Sequence, residues 1–154
     1  MGIFGTKQAK RVSVDETYKM IASYYKRRGF EIDEHQLPEC DGYGWWIMEG
    51  SAKVYIFLQE EERGHVIRVN APVCHFPQDH NERFFRTLLE INRDLSVCCI
   101  ASYEEVVLVS AQRPILGLDQ EELNDMIWNV SACADVLDDQ LLAQFGAKPY
   151  YATE

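Results

Sequence analysis

The sequence lacks the features that mark several large classes of protein. No stretch approaches the roughly 18–20 consecutive apolar residues that span a bilayer, so a transmembrane helix is not expected. No Gly-rich phosphate-binding loop is present. The five cysteines are odd in number, form no Cys-x-x-Cys pair and follow no secretory leader. Reduced thiols in a soluble cytoplasmic protein are therefore predicted.

Basic residues are scarce in the C-terminal part of the chain. The net charge is −10, and Lys148 is the only Lys or Arg beyond Arg113. A negative field repels phosphate backbones, so nucleic-acid binding by the folded domain is not expected. The N-terminal segment is basic instead, and residues 1–12 are predicted to be a flexible tail. Its first six residues fit the permissive myristoylation pattern. An unmodified flexible tail is the simpler interpretation.

Amphipathic helices are the clearest elements that the sequence contains. Ser13 and Glu16 have the spacing of a capping box, and an apolar stripe follows until Gly29. A second helix is predicted to open at Asp79. The third begins at Asp119, and its apolar residues recur at helical spacing over about 26 residues, which corresponds to a rod of about 39 Å.

Five short strands are predicted between these helices, joined by tight turns that favour antiparallel pairing. The element order α-βββ-α-ββ-α predicts an α+β fold in which helices pack mainly on one face of a five-stranded antiparallel sheet. At 154 residues the chain suits a single domain, predicted over 13–146, with 147–154 as a C-terminal tail. The predicted strands span residues 44–49, 52–60, 65–71, 97–101 and 106–111.

The two turns of the first three strands fix a register, because alternate side chains of a strand point to opposite faces. We expect Glu49 to pair with Ala52 and Glu60 with His65. An aliphatic face follows, made of Trp45, Ile47, Val54, Ile56, Leu58, Ile67 and Val69. The opposite face, called the aromatic face below, contains Trp46, Met48, Lys53, Tyr55, Phe57, Arg68 and Asn70.

The aromatic face is the candidate partner-binding surface, because large amphipathic rings are enriched where proteins meet. Its expected contact residues are Trp46, Tyr55, Phe57 and Arg68, with Arg68 opposite Phe57 in position for a cation–π contact. Trp128 lies off the apolar stripe of the last helix and is a further, outlying candidate.

Two other arrangements of the second helix stay open from sequence. The helix could cover the aromatic face, or it could bury its wide apolar arc against a second copy of the chain and form a homodimer. In the second case the expected dimer interface is Phe84, Phe85, Leu88 and Leu89.

Residues 74–80 contain one cysteine and two histidines, a combination that could serve catalysis or bind a metal. Zinc usually takes four ligands from paired clusters, and the sequence offers no second cluster. A nucleophile and its base meet through the fold, so their closeness in sequence carries little information. No enzyme activity, cofactor or metal is therefore predicted.

The C-terminal half resembles the YbjN-type domain family, particularly its cyanobacterial branch. The resemblance is carried by residues 88–92, by 117–123, by Ala134 and Asp135, and by Leu141. It implies a fold like that of type III secretion chaperones over 13–146. It also implies a non-enzymatic, dimeric protein that handles or regulates other polypeptides.

We therefore expect a protein-binding module of chaperone-like fold. Its mechanism would be burial of an apolar client segment on the aromatic face, or addition of a client strand to a sheet edge. Lys53 and Arg68 would favour acidic clients. The alternative is a small-ligand sensory domain in which the same rings line an enclosed pocket.

Overall fold

The computed structural model describes residues 12–79 and 81–151. The observed element order agrees with the predicted one, and a short 3₁₀ helix is added to it. In chain order the elements are α1 (Val14–Arg27), the 3₁₀ helix (Ile32–His35), β1 (Tyr43–Glu49), β2 (Ala52–Glu61), β3 (Gly64–His75), α2 (Glu82–Asp94), β4 (Cys99–Tyr103), β5 (Val106–Pro114) and α3 (Gln120–Phe145).

The five strands form one antiparallel sheet in the order β1-β2-β3-β5-β4. Glu49 pairs with Ala52 and Glu60 pairs with His65, so both predicted registers are confirmed. In the first turn Gly50 adopts φ 61°, a left-handed value that glycine adopts without strain. The second turn is tighter than expected, because Gly64 already pairs with Glu61.

The aliphatic face of the sheet is the floor of the core. Helix α3 packs across β2, β3 and β5, and α1 packs against α3. The apolar stripe of α3 is buried as its spacing predicts, and Leu123, Ile127 and Val130 are fully enclosed. Every residue of the predicted aliphatic face is at most 1% exposed: Trp45, Ile47, Val54, Ile56, Leu58, Ile67 and Val69.

Helix α2 lies beside α3 on this same side of the sheet. The Phe84 ring meets the Phe145 ring of α3 edge-on, with centroids 5.2 Å apart, and it also contacts Phe76. The prediction that helices pack mainly on one face is confirmed. The other face is therefore not covered by α2.

Two of the three predicted helix starts are confirmed, and the third is wrong. Complete capping boxes begin α1 at Ser13 and α3 at Asp119. The predicted start of α2 at Asp79 is wrong, because Asn81 is the N-cap and its side chain accepts a hydrogen bond from the Phe84 amide. Asparagine caps a helix about as well as aspartate, so composition alone did not separate the two positions.

Strand β3 continues past its predicted end at Ala71 as far as His75. A bulge between Pro72 and Cys74 shifts its register with β5 and lets the strand pass a proline. Of the predicted C-terminal tail 147–154, residues 152–154 lie outside the described residues, and Pro149 forms a bridge with Cys74 near the end of β3. The predicted flexible segment 1–12 lies outside the described residues except for Val12. No described helix is both long and apolar enough to cross a membrane.

Candidate functional site

The residues of the aromatic face lie together on the side of the sheet that faces away from the three helices. Trp46 is directly opposite Tyr55 across β1 and β2, and Met48 is opposite Lys53. The rings of Trp46, Tyr55 and Phe57 are half-buried, whereas Met48 is 46% exposed. The face is therefore reachable from solvent, and the part formed by Trp46, Tyr55 and Phe57, called its aromatic half below, is largely apolar.

Lys53 lies at the centre of the aromatic half of this face. Its ammonium nitrogen is 4.5 Å from the Trp46 ring centroid and 5.6 Å from the Tyr55 centroid. Tyr55 and Phe57 stack nearly parallel, with centroids 6.4 Å apart. These contacts hold a cation against aromatic ring faces, whose negative quadrupole attracts it.

Arg68 lies opposite Phe57 in the register, as predicted. Its guanidinium, however, donates to Gln112 at 2.9 Å and forms a salt bridge with Glu61 at 3.3 Å. The cation–π contacts of this face are instead those of Lys53. Arg68 therefore belongs to a polar half of the face, which the hydrogen bond from Ser110 to Asn70 continues along β3 and β5.

One end of the aromatic half is bounded by the segment before β1. The Leu37 amide donates to the Gly44 carbonyl at 2.8 Å, so this segment crosses the β1 edge. A Cβ atom at Gly44 would lie 2.9 Å from the Cys40 sulfur and 3.2 Å from the Phe57 ring. Glycine is therefore required for the close approach of segment, strand and ring.

The opposite end is bounded by the C-terminal segment. The hydroxyls of Tyr151 and Tyr55 are 2.5 Å apart, and the Tyr151 ring centroid lies 5.6 Å from the Lys53 ammonium. Burial and the bond to Tyr55 raise the pKa of Tyr151 above its ordinary value. Sequence reasoning missed this residue, since a tyrosine after the last helix gives no periodic signal.

Trp128 is separate from the aromatic face. It is 62% exposed on α3 and lines a cleft of about 360 Å³ between α1 and α3, together with Tyr24, Arg27 and Arg28. The sequence correctly placed it off the core stripe. Its part in binding stays a prediction.

The four residues of the predicted dimer interface divide into two pairs. Phe84 is fully buried and Leu88 is 9% exposed, so both belong to the core of the single chain. Phe85 and Leu89 are 38% and 69% exposed beside a groove of about 230 Å³ next to β4. If a dimer forms through α2, Phe85 and Leu89 are the residues available for it.

The loop with one thiol and two imidazoles shows no arrangement suited to catalysis at Cys74. The residue is 1% exposed, and burial raises the pKa of its thiol to about 12. A nucleophilic cysteine needs the thiolate, which this environment disfavours. His75 stacks on Tyr150, and His80 lies outside the described residues. Among the described residues, no cluster of His, Cys, Asp and Glu is placed to hold a metal ion.

Comparison with known proteins agrees with this architecture. No curated protein matches the chain. Nine chains of solved structures do, and one of them, from a structure described as the ExsC-ExsE complex, aligns with a TM-score of 0.63. That alignment covers 92% of this chain and 100% of the other at 16% identity, and it supports the fold.

A family model adds what the structural match cannot show. It matches residues 33–153 and describes the type III secretion (YopN, CesT) and YbjN peptide-binding chaperone 1 family. The predicted resemblance and the predicted protein-binding module of chaperone-like fold are confirmed. Since the match covers most of its length, the chain belongs to this family of peptide-binding chaperones.

Proposed function

We propose that the aromatic face is the surface on which this chaperone binds its polypeptide client. The observation that carries the proposal is the packing of all three helices on the opposite face, which leaves Trp46, Tyr55 and Phe57 partly open to solvent. Large rings on a rigid sheet bury much area and lose little conformational entropy on binding. An apolar client segment laid across them would gain most of its affinity from that burial.

The charges of the face favour clients that carry acidic groups. Lys53 presents its ammonium among aromatic rings, where a client carboxylate could reach it. Arg68 is paired with Glu61, so it can bind a carboxylate only by exchanging that partner. Lys53 is therefore the stronger electrostatic determinant of the two.

The shape of the face favours a polypeptide over a small metabolite. A small-ligand site normally buries most of its ligand in a cleft or cavity. The aromatic face is instead an open sheet surface bounded at two ends, by the segment before β1 and by Tyr151. An extended segment can lie along such a surface without being enclosed.

Further parts of the proposal concern the assembly and its location. The family description points to a non-enzymatic role. All five cysteines are free thiols, which supports the cytoplasm as the compartment. Phe85 and Leu89 would form the centre of a homodimer interface, and light scattering of Leu89→Asp against the parent chain tests it. A parent of monomer mass at micromolar concentration contradicts the dimer.

The binding surface is tested with peptides selected from a random 12-residue library on the parent protein. We expect Trp46→Ala combined with Phe57→Ala to weaken the selected peptides at least about tenfold, since central aromatic residues dominate such interfaces. Fluorescence anisotropy with labelled peptides measures the dissociation constants.

A matched control is Tyr103→Ala, which removes an exposed ring from β4, away from the proposed contacts. It should leave the affinity unchanged. Selected peptides that bind the double variant as tightly as the parent would place the client elsewhere and overturn the proposal.

A further inference from the structure

Strands β2 and β3 separate before β3 ends. In the part of the chain that the structure describes, their register runs from Glu61/Gly64 to Tyr55/Asn70 and stops there. Strand β3 nevertheless continues to His75, while the first residues of β2 pair only with β1. The far end of β3 therefore has a side that β2 does not pair with.

The protein's own C-terminal segment occupies this side. Cys74 and Pro149 form an antiparallel bridge, in which the His75 amide donates to the Lys148 carbonyl at 3.0 Å and the Tyr150 amide donates to the Val73 carbonyl at 2.9 Å. The N position of Pro149 makes neither bond, so proline is tolerated there. The segment behaves as a very short added strand.

Two tyrosines connect this backbone pairing to the aromatic face. Tyr150 stacks on His75, with ring centroids 5.2 Å apart. Tyr151 reaches across to the Tyr55 hydroxyl and the Lys53 ammonium. One short segment thus combines the two binding modes expected of a client, which are strand addition and burial of an aromatic side chain.

The segment is held by few contacts, and its two rings are partly exposed. Its contacts within 12–79 and 81–151 are the bridge with its two backbone hydrogen bonds, the Tyr151 hydroxyl contact with Tyr55, and the rings of Tyr150 and Tyr151, whose residues are 36% and 41% exposed. A cleft of about 110 Å³ lies between the segment, the Ser51 turn and Asp135 of α3. Ala147, at 1% exposure, anchors the point from which the segment departs.

We propose that the end of β3, Val73–His75, is a strand-addition site for clients, and that residues 148–151 occupy it until a client replaces them. The client it fits is a segment that pairs with Cys74 and then turns, so that a tyrosine two residues later reaches the Tyr55 hydroxyl, as Tyr151 does after Pro149. This inference rests on the proposed function for the aromatic face and adds to it both a backbone site and a competitor. The apparent affinity for a client is then lowered in proportion to the fraction of molecules whose own segment occupies the site.

The test uses a synthetic peptide with the sequence of residues 147–151, acetylated and amidated, added to the full-length ¹⁵N-labelled protein. Its affinity is measured by NMR titration for the parent and for Tyr150→Ala combined with Tyr151→Ala. We expect the variant to bind the peptide about tenfold more tightly, because its own segment competes less. The shifted amide signals should include those of Val73 and His75. Tyr151→Phe, which keeps the ring and loses the hydroxyl contact, should lie between the two.

A peptide in which the tyrosine equivalent to Tyr151 is alanine is the matched control and should bind weakly to both proteins. Equal affinity for parent and variant, or shifts confined to other regions, would overturn the strand-exchange proposal. Shifts that depend on protein concentration in the absence of peptide would indicate exchange of this segment between two copies, and would overturn the client assignment.

The two proposals fail in different ways. If Trp46→Ala with Phe57→Ala abolishes binding of library peptides while the tyrosine variant changes nothing, the aromatic face stands and strand exchange does not. If the 147–151 peptide still binds the tyrosine variant after both substitutions on the face, the β3 site stands without the aromatic face.

Discussion

The two faces of the sheet are built from the same strands, but the helices cover one face and leave the other open to solvent. Trp45 and Trp46 are neighbours in β1, yet Trp45 is 1% exposed beneath the helices and Trp46 lies on the open side against Lys53. The aliphatic face consists mostly of branched side chains that interdigitate with α3, whereas the aromatic face consists of rings with polar or charged neighbours. Alternation along a strand thus places a closed aliphatic core and an open aromatic face at single-residue spacing.

The strongest way to sharpen this comparison is to remove each tryptophan in turn. Trp45→Ala should lower the free energy of unfolding by about 3–5 kcal/mol, because a large side chain is lost from a closed core. Trp46→Ala should lower it by only about 1 kcal/mol, since its ring is half-exposed. Urea unfolding of both variants measures the difference. Equal losses would mean that the open face contributes as much to folding as the closed one.

Tyr24 and Tyr25 are neighbours in α1, but only Tyr24 forms a hydrogen bond to the sheet. Tyr24 donates to the buried Glu49 carboxylate at 2.7 Å, and Arg28 pairs with the same carboxylate. The Tyr25 hydroxyl is buried without a hydrogen-bond partner among the described residues. Tyr24→Phe should therefore cost about 1–2 kcal/mol, while Tyr25→Phe should be neutral or stabilising. Thermal and urea unfolding at pH 8 measure both changes.

The dependence of the free energy of unfolding on alkaline pH gives a second test of these two tyrosines. Burial raises the pKa of Tyr24 and of Tyr25 above the ordinary tyrosine value, so both phenols favour the neutral form in the folded protein. That contribution is complete below about pH 10, the pKa of an unfolded tyrosine, and is lost as pH rises further. Between pH 8 and 11 the free energy of unfolding should fall less for Tyr24→Phe than for the parent, because the variant has one phenol fewer to ionise. An identical pH dependence in parent and variant would contradict a raised pKa for Tyr24 in the folded protein.

A small loss of stability is expected when a salt bridge on the open face is broken. Glu61→Gln removes the partner of Arg68, but both side chains are substantially exposed, so the free energy of unfolding should change by no more than about 0.5 kcal/mol. Glu49→Gln is the matched control on the closed side and should cost about 1–2 kcal/mol. Similar losses in the two variants would show that the polar half of the open face contributes to stability.

The sheet register was predictable because two short turns and strict alternation leave few choices. Glu49/Ala52 and Glu60/His65 followed from turn length, and the sorting of seven side chains to the core followed from them. The capping boxes at Ser13 and Asp119 were readable for a similar reason, since the signal is local. Local geometry of this kind is contained in a few consecutive residues.

Features that depend on distant partners were not predictable in the same way. Pro72 suggested a strand end, but pairing with β5 carries β3 past it through a bulge. Residues 147–151 gain their structure from Val73, His75 and Tyr55, none of which is near in sequence. The apolar arc of α2 is also ambiguous by itself, because only the fold decides that Phe84 packs on Phe145.

The bulge at Val73 has a consequence for how this domain can change through evolution. One extra residue resets the alternation of β3, so Val73 and Cys74 are both buried although they are consecutive. Deleting Val73 would remove the bulge and leave Cys74 opposite Val107 and facing the core, because the two strands would then pair residue for residue. Loss or gain of one codon at this point therefore changes the local bend of β3 and leaves both flanking pairs, Pro72 with Leu108 and Cys74 with Val107, in place.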